Sequence, residues 1–251
     1  TREDRPMQTT KSNWWQGLTV QPIVILAILI ALIIWLSTAQ FTNTELATLT
    51  LSNLLNLTVQ HLELTTVSIV VVLIIAIPLG ILLTRKPLRW LTTPVMSLAN
   101  LGQAAPAIGL VVLIAFWLGF GFTTAAVALI LYAFLPVLKN TMVGLDAVDP
   151  KLVEAGRGMG MSAVQVLFQI ELPLAVPIML AGIRTALVLL VGTATLATFV
   201  DGGGLGILIT TGVNLALNRV LITGSLLVAL LALAVDWIAR VLEHTLRPKG
   251  L

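Results

Sequence analysis

LTTVSIVVVLIIAIPLGILLTRKPLR occupies residues 64–89. Leu64 to Leu83 carries no charge, and Arg85, Lys86 and Arg89 follow directly. A helix needs about 20 apolar residues to cross the hydrocarbon core of a bilayer, and this run has that length. Lys and Arg crowd the cytoplasmic ends of membrane helices, so the run predicts a span whose C-terminal end is cytoplasmic. Composition extends the point to the whole chain. Of 251 residues, 58% are hydrophobic and 10% charged, against about 25% charged in a soluble domain. Much of this surface can only be solvated by lipid, and the length suits one helical membrane domain.

Working outward, five further apolar segments appear: Pro22–Thr38, which is short, Val95–Leu118, Thr123–Leu138, Leu174–Val200 and Leu221–Leu242. The expected fold class is an all-α integral membrane protein of about six spans. With a cytoplasmic N-terminus, segments 1–21, 84–94, 139–172 and 243–251 share one side. Together with Arg240 they hold Arg2, Arg5, Lys11, Arg85, Lys86, Arg89, Lys139, Lys151, Arg157, Arg247 and Lys249, twelve of the fourteen basic residues. Only Arg219 falls outside, and Arg184 lies within a span. The inverse topology would violate the positive-inside rule. The expected organisation is a cytoplasmic segment 1–21, a transmembrane domain 22–242 and a cytoplasmic tail 243–251. The first apolar run follows basic residues but no small-residue cleavage site follows it, so it is expected to stay as an anchor. The outer segment Ala39–Gln60 has no Lys or Arg. Leu51, Leu54, Leu55 and Leu62 near helical spacing predict a short amphipathic helix there, or an ordered loop packed on the bundle.

Several function classes drop out. No cysteine is present, which removes disulfides, thiolate metal sites and a Cys nucleophile. No basic cluster sits on a solvated element, so nucleic-acid binding is excluded. His61 and His244 fall on opposite sides and cannot share a metal. The glycine-rich run Asp201–Gly206 lacks the Lys of a phosphate-binding loop. It reads as a flexible or tightly turned outer segment, with a gate as the sharper alternative. Asp146, Asp149 and Glu154 suit helix N-terminal charges better than acid/base catalysis.

The segment 139–172 is dense in helix punctuation. Asp149-Pro150 reads as an N-cap with Pro at the first helical position. A short helix Pro150–Met159 follows, ended by Gly158 and Gly160. Ser162 and Gln165 are spaced as a capping box, and Pro173 and Pro177 stand at the start of the fifth span. A short capped helix between two sharp breaks is a lever or a plain connector.

Polar groups inside the spans are few. Arg184 lies 11 residues past Pro173, about 16 Å along a helix. A charge at that depth faces the bundle interior or a wet cavity. It marks a site, or a structural Arg bonded to the carbonyls of a broken neighbour. Gln103, Pro106 and Gly109 interrupt the third span, and Gln103 is placed to serve a carbonyl freed by Pro. Pro78 and Gly80 interrupt the second, and Pro136 is expected to end the fourth. Thr193, Thr195 and Thr198 either line a path or bond their own helix. Asp236 and Arg240 form an i,i+4 pair. Trp14, Trp15, Trp90 and Trp237 suit an inner aromatic belt, and Trp35 and Trp117 an outer one.

Glu154-Ala155-Gly156, then Gly160, then Ile170-Glu171-Leu172-Pro173 resembles the EAA loop of bacterial ABC importer permeases: E-A-A, three residues, G, nine residues, I-x-L-P. Gly156 replaces the usual alanine. Leu135–Thr141, Val148-Asp149-Pro150, Gly158–Met161, Ala181–Ala186 and Gly192–Ala197 are similar to the osmoprotectant branch, over about residues 60–240. The resemblance implies a type I importer permease that moves glycine betaine, choline, carnitine or a related compound. It implies that Asp149, Glu154, Ala155, Gly156, Gly160, Leu172 and Pro173 couple it to a separate ATPase subunit, which binds ATP and Mg. It also implies a second permease subunit, identical or similar, and an extracytoplasmic binding protein. Gln103, Arg184, Thr193 and Thr195 are the path or gate candidates. A quaternary ammonium would be repelled by Arg184, which favours a structural or gating role there. Competing classes are an ion-gradient-driven transporter, which uses inverted repeats and intramembrane acids, and a membrane enzyme, which needs paired catalytic groups at one depth. Apart from Asp236, neither pattern is visible.

Overall fold

The computed structural model describes residues 14–246, with side chains from 19 to 245. The calls at Arg2, Arg5, Lys11, Trp14, Trp15, Arg247 and Lys249 lie outside the described side chains. Among the described residues every regular element is helical. The order is α1 (Trp14–Thr38), α2 (Asn43–Thr48), α3 (Leu51–Leu83), a 310 turn (Lys86–Leu91), α4 (Thr92–Ala104), α5 (Ala107–Leu118), α6 (Phe122–Asp146), α7 (Pro150–Gly158), α8 (Ala163–Val166), a π turn (Leu167–Glu171), α9 (Leu172–Thr193), a 310 turn (Ala194–Val200), α10 (Gly206–Asn214) and α11 (Asn218–Leu246).

Among the described residues five helices are long and apolar enough to cross a membrane, and α4 with α5 forms a sixth, bent by 103° at Ala105–Pro106. Two contacts show that this bent pair crosses the bundle and does not turn back. At its start Arg85 pairs with Glu171, beside the first turn of α9. At its end the Gly121 amide donates to Val200, beyond the last turn of α9, at 2.6 Å. The first and last described helices also pack together, with Gln21 bonded to Leu233 and Asp236. Six crossings follow.

The core lies where α3, α6 and α9 meet, around Leu64, Val72, Ala76, Ala133, Leu138, Ala186 and Leu190. Glycines and alanines bring the backbones together there. A Cβ on Gly144 would stand 3.0 Å from the Ala175 carbonyl, and one on Gly80 2.8 Å from the Thr141 side chain. Close approach substitutes for a hydrophobic drive that lipid cannot supply. The outer faces stay apolar and exposed, as at Ile23, Ile33, Val70, Ile74, Leu113 and Phe116, which suits contact with acyl chains.

Three expectations change. Pro78 and Gly80 do not interrupt α3, which is one helix of 33 residues. Pro136 does not end α6, which continues to Asp146, so Lys139–Asp146 is helical. A proline lacks one donor, and in a bundle neighbouring helices absorb that local loss. The amphipathic stretch at Leu51–Leu62 is the beginning of α3, about 50 Å long at 1.5 Å per residue. Its Leu57 packs with Leu205, Leu208 and Val220, while Leu51, Leu55 and Leu62 are exposed. The short separate helix of this segment is α2. Its buried Glu45 closes a capping box with Thr42 and pairs with Arg219 of α11 at 3.2 Å. Arg219 also lies 5.8 Å over the Phe41 ring. Bonds to the Thr42 backbone foremost, and the neighbouring guanidinium, hold the Glu45 carboxyl below its ordinary pKa.

Candidate functional site

The segment after α6 forms as its punctuation predicts. Asp149 caps α7, accepting from the Lys151 amide at 2.9 Å, and Pro150 opens the helix. At the other end the Met161 amide donates to Gly156 at 3.2 Å and the Gly160 amide to Arg157 at 2.9 Å. With Gly160 at φ +87°, this is a Schellman turn. Ser162 and Gln165 then form a capping box that starts α8. The expected helix end moves by one residue, from Met159 to Gly158.

Faces of α7 divide sharply. Lys151, Leu152, Glu154, Ala155 and Arg157 are exposed, and only Gly156 is buried. A Cβ there would lie 2.5 Å from Cδ1 of Ile170 and 3.2 Å from the Met161 sulfur. The smallness of Gly156 therefore serves packing against its own chain, and the exposed face belongs to Glu154 and Ala155. Nothing lies within 4 Å of a Cβ on Gly160, so that glycine is needed for its dihedral angle and not for space.

A π turn joins α8 to α9. Such turns are rare and recur at functional sites. Its last residue, Glu171, is 8% exposed and takes both arms of Arg85, one at 3.1 Å. A bidentate Arg–carboxylate pair fixes geometry as well as charge. Leu172 packs with Leu145, Ala175 and Met179, and Pro173 sits in the first turn of α9. The exposed α7 is thus anchored to α3 and α9 through one short, braced segment.

Residues suggested for the path are dispersed. Arg184 does not bond to carbonyls of a broken helix. Its Nε donates to Asp236 Oδ1 at 2.5 Å. Arg240 Nη2 and Gln21 Nε2 donate to Oδ2 of the same carboxylate at 2.9 and 3.0 Å. One carboxylate thus joins α1, α9 and α11, with Glu243 at 4.0 Å from Arg184. A groove of about 400 Å³ opens beside it, lined by Ala181, Arg184, Thr185, Val188, Leu189 and Asp236. The expected Asp236–Arg240 pair is present, and Arg184 completes it. Gln103 donates to the Tyr132 carbonyl at 3.5 Å, the one that Pro136 leaves without its helix donor, as the sequence suggests. The carbonyl of Ala105 at the break is served by the Tyr132 hydroxyl at 3.1 Å, a partner that the sequence reading did not single out. Thr193 and Thr195 bond within their own chain segment, to Leu189 and Gly192, each at 2.7 Å. Thr198 faces Thr210 at 3.3 Å. The structure does not gather Gln103, Arg184, Thr193 and Thr195 into one site. Among the described residues no group of His, Asp and Glu could hold a metal.

A bundle of six crossings with a short capped helix held out between two of them defines a membrane-embedded transport subunit. The chain belongs to the family of binding-protein-dependent transport system inner membrane components, whose model matches residues 76–248. It is 41% identical over 203 residues to the osmoprotectant import permease protein OsmW of Salmonella typhimurium, covering 79% of this chain and 94% of that one. It is 39% identical to the glycine betaine/carnitine/choline transport system permease protein OpuCB of Bacillus subtilis, over 79% of this chain and 90% of that one. The choline transport system permease protein OpuBB of the same organism is 37% identical, over 79% and 90%. In fold it is similar to a chain of the MetNI methionine ABC transporter in an inward-facing crystal form, with a TM-score of 0.70 and 22% identity, covering 83% of this chain and all of that one. The protein is an importer permease of the ATP-binding-cassette class, which sets aside the ion-gradient-driven alternative.

Proposed function

We propose that this permease carries an osmoprotectant of the quaternary ammonium class, such as glycine betaine, carnitine or choline. The observation that carries the reading is the identity of 37–41% over 79% of the chain to permeases named for those compounds. α7 docks on a separate ATPase subunit that binds ATP and Mg. Glu154 and Ala155 present the contact face, Asp149 and Gly160 fix its two ends, and Gly156, Leu172 and Pro173 seat it on α9. A second permease subunit completes the path, and an extracytoplasmic binding protein delivers the substrate. The α7 end faces the cytoplasm, with both chain termini. Twelve of fourteen basic residues on that side support the orientation. Arg184 holds α1, α9 and α11 together beside the path and does not ligate a cationic headgroup.

The test is uptake by the complex reconstituted in liposomes with its ATPase and binding protein. Radiolabelled glycine betaine, carnitine and choline are compared with methionine. ATP-dependent accumulation of at least one of the first three is expected. Transport of methionine alone would overturn the substrate assignment. Cysteines placed at positions 151 and 214 settle orientation: an impermeant maleimide applied to intact cells labels position 214 and spares position 151.

A further inference from the structure

His61 lies outside the coupling segment, yet it is the largest polar side chain that is completely buried, at 0% exposure. Both of its ring nitrogens meet backbone groups of other elements. Nδ1 is 3.3 Å from the Leu205 amide, which can only donate, so Nδ1 is the acceptor. Nε2 therefore carries the proton and donates to the Val191 carbonyl, near the end of α9, at 3.0 Å. The partners dictate one neutral tautomer. One residue earlier on α3, Gln60 Oε1 accepts from the Gly204 amide at 3.1 Å. Two consecutive side chains of α3 thus hold two consecutive amides of the glycine run.

That run is tightly turned and not slack. Gly203 and Gly204 have φ of +79° and +90°, a region that strains residues with a Cβ. A Cβ on Gly202 would stand 2.6 Å from that of Ala125, and one on Gly204 3.0 Å from Nδ1 of His61. The turn links the 310 segment after α9 to α10, at the end of the bundle opposite α7. A cavity of about 380 Å³ opens there, lined by Gln60, Glu63, Phe122, Asp201, Gly202 and Gly203 among others. Meanwhile Arg85–Glu171 joins α3 to the start of α9 at the α7 end. Near each end of α9, then, a bond ties it to α3 or to the residues that follow α3.

We infer that His61 is a positioning residue for transport. It locks α3, the end of α9 and the glycine turn into one rigid unit, so that a displacement begun at α7 reaches the outer mouth. The inference rests on the importer-permease reading. It names the outer turn as the element that responds and His61 as the side chain that obliges it to.

Two variants separate the two bonds. In His61→Asn the amide oxygen takes the place of Nδ1 and keeps the Leu205 bond while losing Val191. In His61→Gln the amide nitrogen takes the place of Nε2 and keeps Val191 while losing Leu205. Gln60→Ala, at a half-buried position, removes the Gly204 bond with little risk to folding. All are made in the complete complex with its ATPase. Hydrogen exchange of a peptide covering 201–209 is read beside ATPase stimulation by glycine-betaine-loaded binding protein. In His61→Gln exchange is expected to quicken about tenfold, the order for one lost buried hydrogen bond, and stimulation to fall several-fold at unchanged basal rate. Gln60→Ala should do the same to a smaller degree, and His61→Asn should keep the turn protected. The inference is overturned if His61→Gln and Gln60→Ala leave exchange at the wild-type rate. It is equally overturned if exchange quickens and stimulation stays whole. A wild-type complex that ignores every loaded binding protein would instead defeat the importer reading, and the exchange result would still decide the latch.

Discussion

Gly160 can be replaced without touching any atom, and coupling should nevertheless fail. Its φ is +87° and the space a Cβ would enter is empty to 4 Å. A substitution therefore costs only backbone conformation, about 1–2 kcal/mol for an ordinary L-residue in the left-handed region. That is a factor of roughly 5–30 in the population of the Schellman turn. Asn tolerates this region better than other side chains, and a β-branched residue tolerates it least. The series Gly160→Asn, Gly160→Ala, Gly160→Val should lose stimulated ATPase activity in that order. Membrane expression and the thermal midpoint should hold, because the turn lies outside the bundle. The assay pairs fluorescence-detected size exclusion with binding-protein-stimulated hydrolysis in the reconstituted complex. Should Asn prove as damaging as Val, the dihedral argument fails and a partner contact at that position takes its place. Full activity in all three would remove α7 from the coupling path.

Three further outcomes follow from the ion pairs. For Arg85 and Glu171, single alanine variants and the double variant should be non-additive in thermal stability, with a coupling of about 1–3 kcal/mol; strictly additive losses would mean the pair is not formed. Arg184→Ala should lower the melting temperature of the complex, with Arg184→Lys recovering part, since Lys offers no planar fork to the Asp236 carboxylate; an unchanged midpoint in the Ala variant would refute the brace. Glu45 has a lowered pKa in the fold, so its contribution is complete above its ordinary value of 4.5 and is lost as pH falls through the lower folded value. Proteolysis of segment 39–50 should therefore be slow at neutral pH and quicken below about pH 4.5; in Arg219→Gln the folded pKa moves back toward the ordinary value, so the pH-dependent change should be smaller.

What could be read from the sequence is what depends on neighbours along the chain. Transfer of apolar runs into lipid is a sum over local residues, so the spans were legible. Caps are local as well: Asp149, Gly160 and the Ser162–Gln165 box appear where their spacing puts them. Prolines misled where a local penalty was taken as decisive. Pro78 and Pro136 sit inside unbroken helices, whereas Pro106 breaks one, and the difference lies in the neighbours. Pro106 has Tyr132, 27 positions from Ala105, to serve the opened carbonyl. The partners of Arg184, Glu171 and His61 stand 52, 86 and 130–144 positions away, and no periodicity reports such distances. A signal for His61 did exist: a lone imidazole beside an apolar span, with an unexplained glycine run elsewhere that had to place its amides somewhere.

The long-range polar bonds also say something about how force can travel. Four of those that join distant elements end on α9 or on the turns at its two ends: Arg85 to Glu171 before it, Asp236 to Arg184 within it, His61 to Val191 near its close, Gly121 to Val200 just beyond. In a lipid environment such bonds are few, because each requires two desolvated polar groups to meet. These four brace α9 along its length. α7 is exposed, carries its own caps and is joined to this helix through α8 and a π turn. On the docking proposed above, a push at α7 meets first the turn braced by Arg85–Glu171 and then α9, and it displaces α3, α9, α11 and, through Gln21 and Asp236, α1 together.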